Sequence, residues 1–246
     1  VGRSAFAHKG GLHVDAMLKN STTYEHIPPE TVGNRRRILV SELSGSATIS
    51  HKLEQLHVPA DKELRQKILA EVQNLENRGY QFEMAEGSFK LLVRRMMGLE
   101  KRLFELKGFR VIVEKRGHHA KPITEATVKV LVGDREELSA SEGDGPVNAL
   151  DGALRKSLEG FFPAISQVRL VDYKVRVINA KAGTAARVLV FIESRDNDET
   201  WGTVGVSENL IEASWQALVD SIDFKLLKEQ EAGRLAAPAF AGSPQR

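Results

Sequence analysis

The chain has 246 residues, 41% apolar and 28% charged, with a net charge of +2 and no cysteine. That balance suits a globular protein of one large domain or two modest ones. It excludes disulfides and thiolate metal sites, and it lacks the basic excess of a nucleic-acid binder. No apolar run reaches the roughly 18 residues that a membrane span needs. No basic segment followed by an apolar core opens the chain, as a signal peptide would. Neither nucleic acid nor membrane is therefore an expected partner, and a cysteine-free composition suits the reducing cytoplasm. Val1-Gly2-Arg3, without an initiator methionine, reads as the middle of something longer.

Residues 1–49 carry Gly, Pro, Ser and Asn with only short apolar runs. EHIPPETVGN (Glu25–Asn34) predicts turns and a short helix started by Pro29. ISHKLEQLH (Ile49–His57) repeats apolar residues at helical spacing until Pro59 breaks it. Asp61 is placed to N-cap a helix with a stripe of Leu64, Ile68, Leu69, Val72 and Leu75, closed by Gly79. AEGSFKLLVRRMMG (Ala85–Gly98) predicts one more helix. Residues 1–107 thus read as a mostly helical, irregular region.

From Phe109 the period changes to that of strands. FRVIVEKRG, ATVKVLVG (Ala126–Gly133) and EELSASEG (Glu136–Gly143) precede a helix over Val147–Phe161. The order recurs in QVRLVDYKVRVINA (Gln167–Ala180), ARVLVFIES (Ala186–Ser194), WGTVGV (Trp201–Val206) and a helix over Glu208–Ile222. A shift of 61 residues lays Asn148 on Asn209, Asp151 on Glu212 and Leu158 on Val219. This reads as a tandem βββα repeat resting on element order more than on identities. Two such units would pair into one two-layer domain over 108–228. The Ala/Gly/Pro-rich tail 229–246 is expected to be disordered.

Candidate chemistry lies at both ends. His8, His13 and Asp15 surround a Gly-Gly pair, but the spacing does not put both histidines on one helix face, so a self-contained metal site is weakly supported. A surface or capping role for His13 is the alternative from composition. His118 and His119 read as a solvated loop, and Arg35–Arg37 as a solvated charge run. SEGDGPVNA (Ser141–Ala149) is a Gly-Asp-Gly turn leading into a helix, whose N-terminal N–H groups favour a carboxylate. WGTVGVSENLIEA repeats that arrangement, so two helix N-termini would hold a small carboxylate. On the residues alone, glycines that merely make tight strand–helix turns remain the alternative.

At FAHKGGLHVDA…LKN…YEHI the sequence resembles the α-isopropylmalate synthase/citramalate synthase/homocitrate synthase family. HKGGLHVDAMLKN, TYEHI, VGN and SELSG carry the resemblance, which runs to about Leu227. Lys9, Val14, Ala16 and WGTVGVSENLIEASWQALVDSIDFKLL resemble the citramalate branch. The leucine branch, whose members more often read HESGIHQDG, is the alternative, and homocitrate synthase a more distant third.

The resemblance implies an α+β chain: a mostly helical linker region followed by a two-layer regulatory domain of two βββα repeats. It implies an acyltransferase that condenses acetyl-CoA with a 2-keto acid. The family's divalent metal ion and HxH ligand pair belong to a catalytic barrel. No HxH pair occurs here, so no metal or other cofactor is expected in this chain. A linker histidine and a tyrosine eleven residues later reach into the partner subunit's barrel in the family. His13 and Tyr24 match that spacing, and the resemblance makes them the catalytic pair that assists proton transfer. Asp15 would orient their loop. After SELSG the family often has a basic residue, and Ser46 stands there instead. GDGPVNA resembles the family's effector loop, assigning Gly143, Asp144, Gly145, Pro146 and Ala149 to binding isoleucine, or leucine in the other branch, near a homodimer interface. The expected role is the linker and allosteric part of such a synthase, inactive alone. A stand-alone amino-acid-binding module is the reading from another class.

Overall fold

The computed structural model describes residues 5–8, 16–17, 20, 24–34, 36–38, 46–55, 58–99, 102–178, 183 and 185–235. The chain divides into two compact units, Val1–Leu99 and Glu100–Arg246. The division falls earlier than residue 107 because Leu103, Phe104 and Leu106 already belong to the core of the second unit.

In the first unit, β1 (Ala7–His8) and β2 (Arg37–Ile38) form a short parallel bridge. Pro29 opens a 3-10 turn to Val32, which Gly33 closes in the left-handed region at φ 68°. Three helices follow: α1 (Ser46–Gln55), α2 (Lys62–Asn77) and α3 (Glu86–Met96). Asp61 caps α2, its side chain accepting from the Leu64 N–H at 2.7 Å. This satisfies one of the donors that a helix start leaves unpaired. Helix α1 packs against α2. Ile49, Leu53, Ile68 and Val72 are buried, as the helical spacing requires. Phe82 meets Phe89 edge-on, ring centroids 6.2 Å apart.

Among its described residues the second unit has two sheets, two α-helices and a short 3-10 helix at Pro163–Gln167. Strands β3 (Glu105–Glu114), β4 (Ile123–Val132) and β5 (Arg135–Gly143) form an antiparallel sheet in sequence order. Helix α4 (Pro146–Leu158) lies against β4 and β5. Strands β6 (Arg169–Val177), β7 (Val188–Arg195) and β8 (Thr200–Ser207) repeat the sheet, and α5 (Leu210–Glu231) lies against β7 and β8. The chain is α+β. Alternation on β4 sends Ala126, Val128, Val130 and Val132 inward. They meet Leu150, Ala153, Leu154 and Leu158 of α4 in one core shared with Val190, Ile192, Ala213, Ala217, Leu218 and Ile222 of the second repeat. Phe109 on β3 packs on Trp215 of α5, centroids 5.3 Å apart, so the two repeats interlock.

The repeat offset is 64 residues, not 61. Both sheets carry a bulge at matching places, Leu106/Gly108 and Leu170/Asp172, and the helices begin at Pro146 and Leu210. At that offset Ala149, Ala153, Leu154, Ser157 and Leu158 fall on Ala213, Ala217, Leu218, Ser221 and Ile222, all buried.

The second helix also runs past Ile222 to Glu231, and its end is built from residues assigned above to the tail. Gly233 is left-handed at φ 66°. The Arg234 and Leu235 N–H groups donate back to Glu229 O at 2.9 and 3.1 Å. The remainder of the expected tail, 236–246, lies outside the described residues.

Candidate functional site

Two places carry the residues singled out in the sequence, one in each unit. In the first, Tyr24 is 44% exposed while its neighbour Glu25 is buried. The Glu25 carboxylate accepts from Arg36 Nε at 2.9 Å and Nη2 at 2.5 Å, and lies 3.0 Å from His8 Nε2. The Arg36 guanidinium holds the Glu25 carboxyl below the usual range, against burial, with His8 adding to the effect. Arg36 is therefore half of a bidentate clamp rather than one charge in a solvated run. Of the other residues proposed there, His13 and Asp15 lie outside the described residues, as do Gly10 and Gly11. Among the described residues no group of three His, Asp or Glu side chains is arranged to hold a metal ion. His118 and His119 lie exposed in the β3–β4 loop.

In the second unit, Gly143 ends β5 opposite Thr124. Asp144 is exposed, and its N–H donates to Asn148 Oδ1 at 3.2 Å. Gly145 is the N-cap of α4 and Pro146 its first residue, and no side chain caps this helix. Ala149 is buried, its N–H donating to Gly145 O at 3.0 Å. The five residues thus form one strand–turn–helix corner whose N–H groups and helix dipole favour an anion. The matching helix start is different. Asn209 accepts from the Ile211 and Glu212 N–H groups at 2.8 and 3.3 Å, so the N-terminus of α5 is occupied by its own cap. Of the two expected helix N-termini, that of α4 has no side-chain cap and that of α5 is capped by Asn209.

The close approach in this corner is at Gly143 rather than Gly145. A β-carbon on Gly143 would stand 2.4 Å from Ala149 N and 2.6 Å from Asn148 Oδ1. Gly145 has an extended backbone at φ −168°, open to any residue, and nothing lies within 4 Å of a β-carbon there.

Sequence reasoning missed two charged groupings: the His8–Glu25–Arg36 clamp and a buried cluster of Lys225, Asp196 and Glu229. The first has no spacing signature, because only the fold brings its residues together; in the second, Lys225 and Glu229 stand at the i,i+4 spacing of one helix and only Asp196 is brought in by the fold.

Among the described residues no helix is long and apolar enough to cross a membrane. Residues 1–80 match the family model described as homocitrate synthase post-HMGL domain-like. An (R)-citramalate synthase of Geobacter sulfurreducens is 53% identical over 94% of this chain and 44% of its own length. That of Aquifex aeolicus is 52% identical over 96% of this chain and 45% of its own length. That of Methanocaldococcus jannaschii is 31% identical over 92% and 44%. The chain thus spans less than half the length of these relatives. Residues 83–226, carrying both βββα units, match the family model for the LeuA allosteric (dimerisation) domain. With both repeats and the corner at Gly143–Ala149 inside that match, the chain belongs to the LeuA allosteric (dimerisation) domain family.

Proposed function

We propose that this chain is the linker and allosteric regulatory part of an (R)-citramalate synthase, which condenses acetyl-CoA with pyruvate on the route to isoleucine. The observation that carries this reading is the 53% identity to an (R)-citramalate synthase across 94% of the chain. The family's description as an allosteric, dimerisation domain supports a homodimer under effector control. On this reading His13 and Tyr24 assist proton transfer at the acetyl-CoA methyl group, and the exposure of Tyr24 is compatible with that role. The divalent metal ion belongs to a catalytic barrel outside this chain. A carboxylate effector, isoleucine, takes the uncapped corner of Gly143, Asp144, Gly145, Pro146 and Ala149, where backbone N–H groups meet the positive end of α4. A cytoplasmic location goes with this role.

The test is substrate choice. The synthase containing this chain, supplied with acetyl-CoA and a panel of 2-keto acids, is expected to release free thiol fastest with pyruvate. Faster turnover with 2-ketoisovalerate would move the chain to the isopropylmalate branch.

A further inference from the structure

The first unit contains a feature that the proposed chemistry does not use. Glu25 is a carboxylate with 3% side-chain exposure, held by two groups distant in sequence. Burying a charge is costly unless it is paired, and removing one partner leaves the penalty uncompensated. Here the pairing is full: a two-pronged bond from Arg36 and a contact from His8. His8 and Arg36 stand in or beside strands β1 and β2, whose bridge pairs Ala7 with Arg37 and His8 with Ile38. One carboxylate thus ties together the segments around 8, 25 and 36.

Glu25 directly follows Tyr24. Anchoring the Glu25 side chain also restrains the backbone of the turn that carries its neighbour. With Glu25 anchored inward, Tyr24 is left 44% exposed. We propose that Glu25 is a positioning residue that holds the Tyr24 phenol in its working place, with Arg36 and His8 as its anchors. The inference rests on the reading of Tyr24 as catalytic. Arg36 is needed in its own right, because a guanidinium offers two parallel N–H groups to a carboxylate and an ammonium does not.

The experiment is a double-mutant cycle in the synthase containing this chain, with pyruvate and acetyl-CoA as substrates. Glu25→Gln is expected to lower kcat by about 10- to 100-fold with little change in KM, since misplacement of about 1 Å costs on that scale. In a Tyr24→Phe background the same substitution is expected to cost nothing further, because its effect passes through the phenol. A merely structural role would instead multiply the two losses. Wild-type turnover by Glu25→Gln, or a full second loss in the Tyr24→Phe background, overturns the proposal while leaving Tyr24 its role. Wild-type turnover by Tyr24→Phe overturns both. Should Glu25→Gln fail to fold, Arg36→Lys carries the test, with the same pattern of loss and non-additivity expected.

Discussion

Lys225 Nζ lies 2.9 Å from Asp196 Oδ2, both side chains buried, at positions where the first repeat, 64 residues earlier, carries Phe161 and Val132. Glu229, 2.8 Å from the same ammonium, falls on the buried Ile165. The correspondence is one of sequence offset: α4 ends at Leu158, so Phe161 and Ile165 lie in the turn and 3-10 segment beyond it, whereas Lys225 and Glu229 stand on the extra turns of α5. Gln167, in the turn between the repeats, completes the lysine's shell at 3.0 Å. Lys228 also reaches Asp196, at 2.8 Å. The cluster fastens the last turns of α5 to the β7–β8 turn and makes the two repeats unequal.

Removing one member should be costly and replacing all three with apolar residues less so. Breaking a buried pair costs about 3–5 kcal/mol, whereas well-packed apolar replacements are often neutral. Lys225→Met is expected to destabilise on that scale. The triple change Lys225→Phe, Asp196→Val and Glu229→Ile should recover part of the loss, the remainder being what Lys228 and the Asp198 and Glu199 N–H groups lose with the Asp196 carboxylate. Urea unfolding of the three proteins measures both. A Lys225→Met midpoint equal to wild type would mean that the cluster does not hold the helix.

The same cluster sets an acid limit. Burial opposes ionisation of Asp196, but Lys228, the Glu199 N–H and Lys225 outweigh it and hold its carboxyl well below the usual range. Arg234, then Lys225, lowers Glu229 to about 2, against burial. Both folded values lie below the unfolded ones, near 4. Their stabilisation is therefore fully present above about pH 5 and is lost as pH falls from about 4 toward 2. Unfolding midpoints measured from pH 7 to pH 2 should be level at first and then drop. The triple variant should lose the part of that drop due to these two groups. An equal drop in both proteins would assign the acid sensitivity elsewhere.

At the strand–helix corner the two glycines should behave oppositely. A methyl group on Gly143 meets the backbone of Ala149, which cannot swing aside, so Gly143→Ala should destabilise by about 1–3 kcal/mol. Gly145→Ala adds a methyl group into open space on an extended backbone and should change stability by no more than about 0.5 kcal/mol. Thermal melts of the two variants without effector decide it. Equal losses would mean that the corner is held together differently.

The sequence displayed the elements more clearly than their alignment. Period-2 and period-3.6 patterns located the six strands and two helices of the second unit because burial on one face imposes them. An offset of 61 differs from the structural 64 by three residues, nearly one turn of helix, so the apolar stripes of α4 and α5 match at either. In a strand an odd shift exchanges the two faces, and only the matched bulges at Leu106/Gly108 and Leu170/Asp172 fix the register. The end of α5 is hard to read because Lys225 and Glu229, charged residues that composition assigns to solvent, are buried there beside Phe224, Leu226 and Leu227. The candidate corner was legible through its local motif. Which glycine meets the backbone was not, because that depends on Ala149 folding back over β5.

The corner itself leads to the last prediction. Helix α5 is capped by Asn209, whereas α4 begins without a side-chain cap. On the proposed reading isoleucine fills that place. A ligand that binds only the folded protein raises its stability by about 2.7 kcal/mol at a hundredfold excess over Kd. Isoleucine should therefore raise the melting temperature of the chain more than valine or leucine does. Among the described residues nothing lies within 4 Å of a β-carbon at position 145, so Gly145→Val should fold normally. It should nevertheless lose the isoleucine shift, because the added side chain would stand where the carboxylate approaches the helix start. A Gly145→Val protein that keeps the full shift would move the effector away from this corner. A larger shift with leucine than with isoleucine would keep the corner and change the branch.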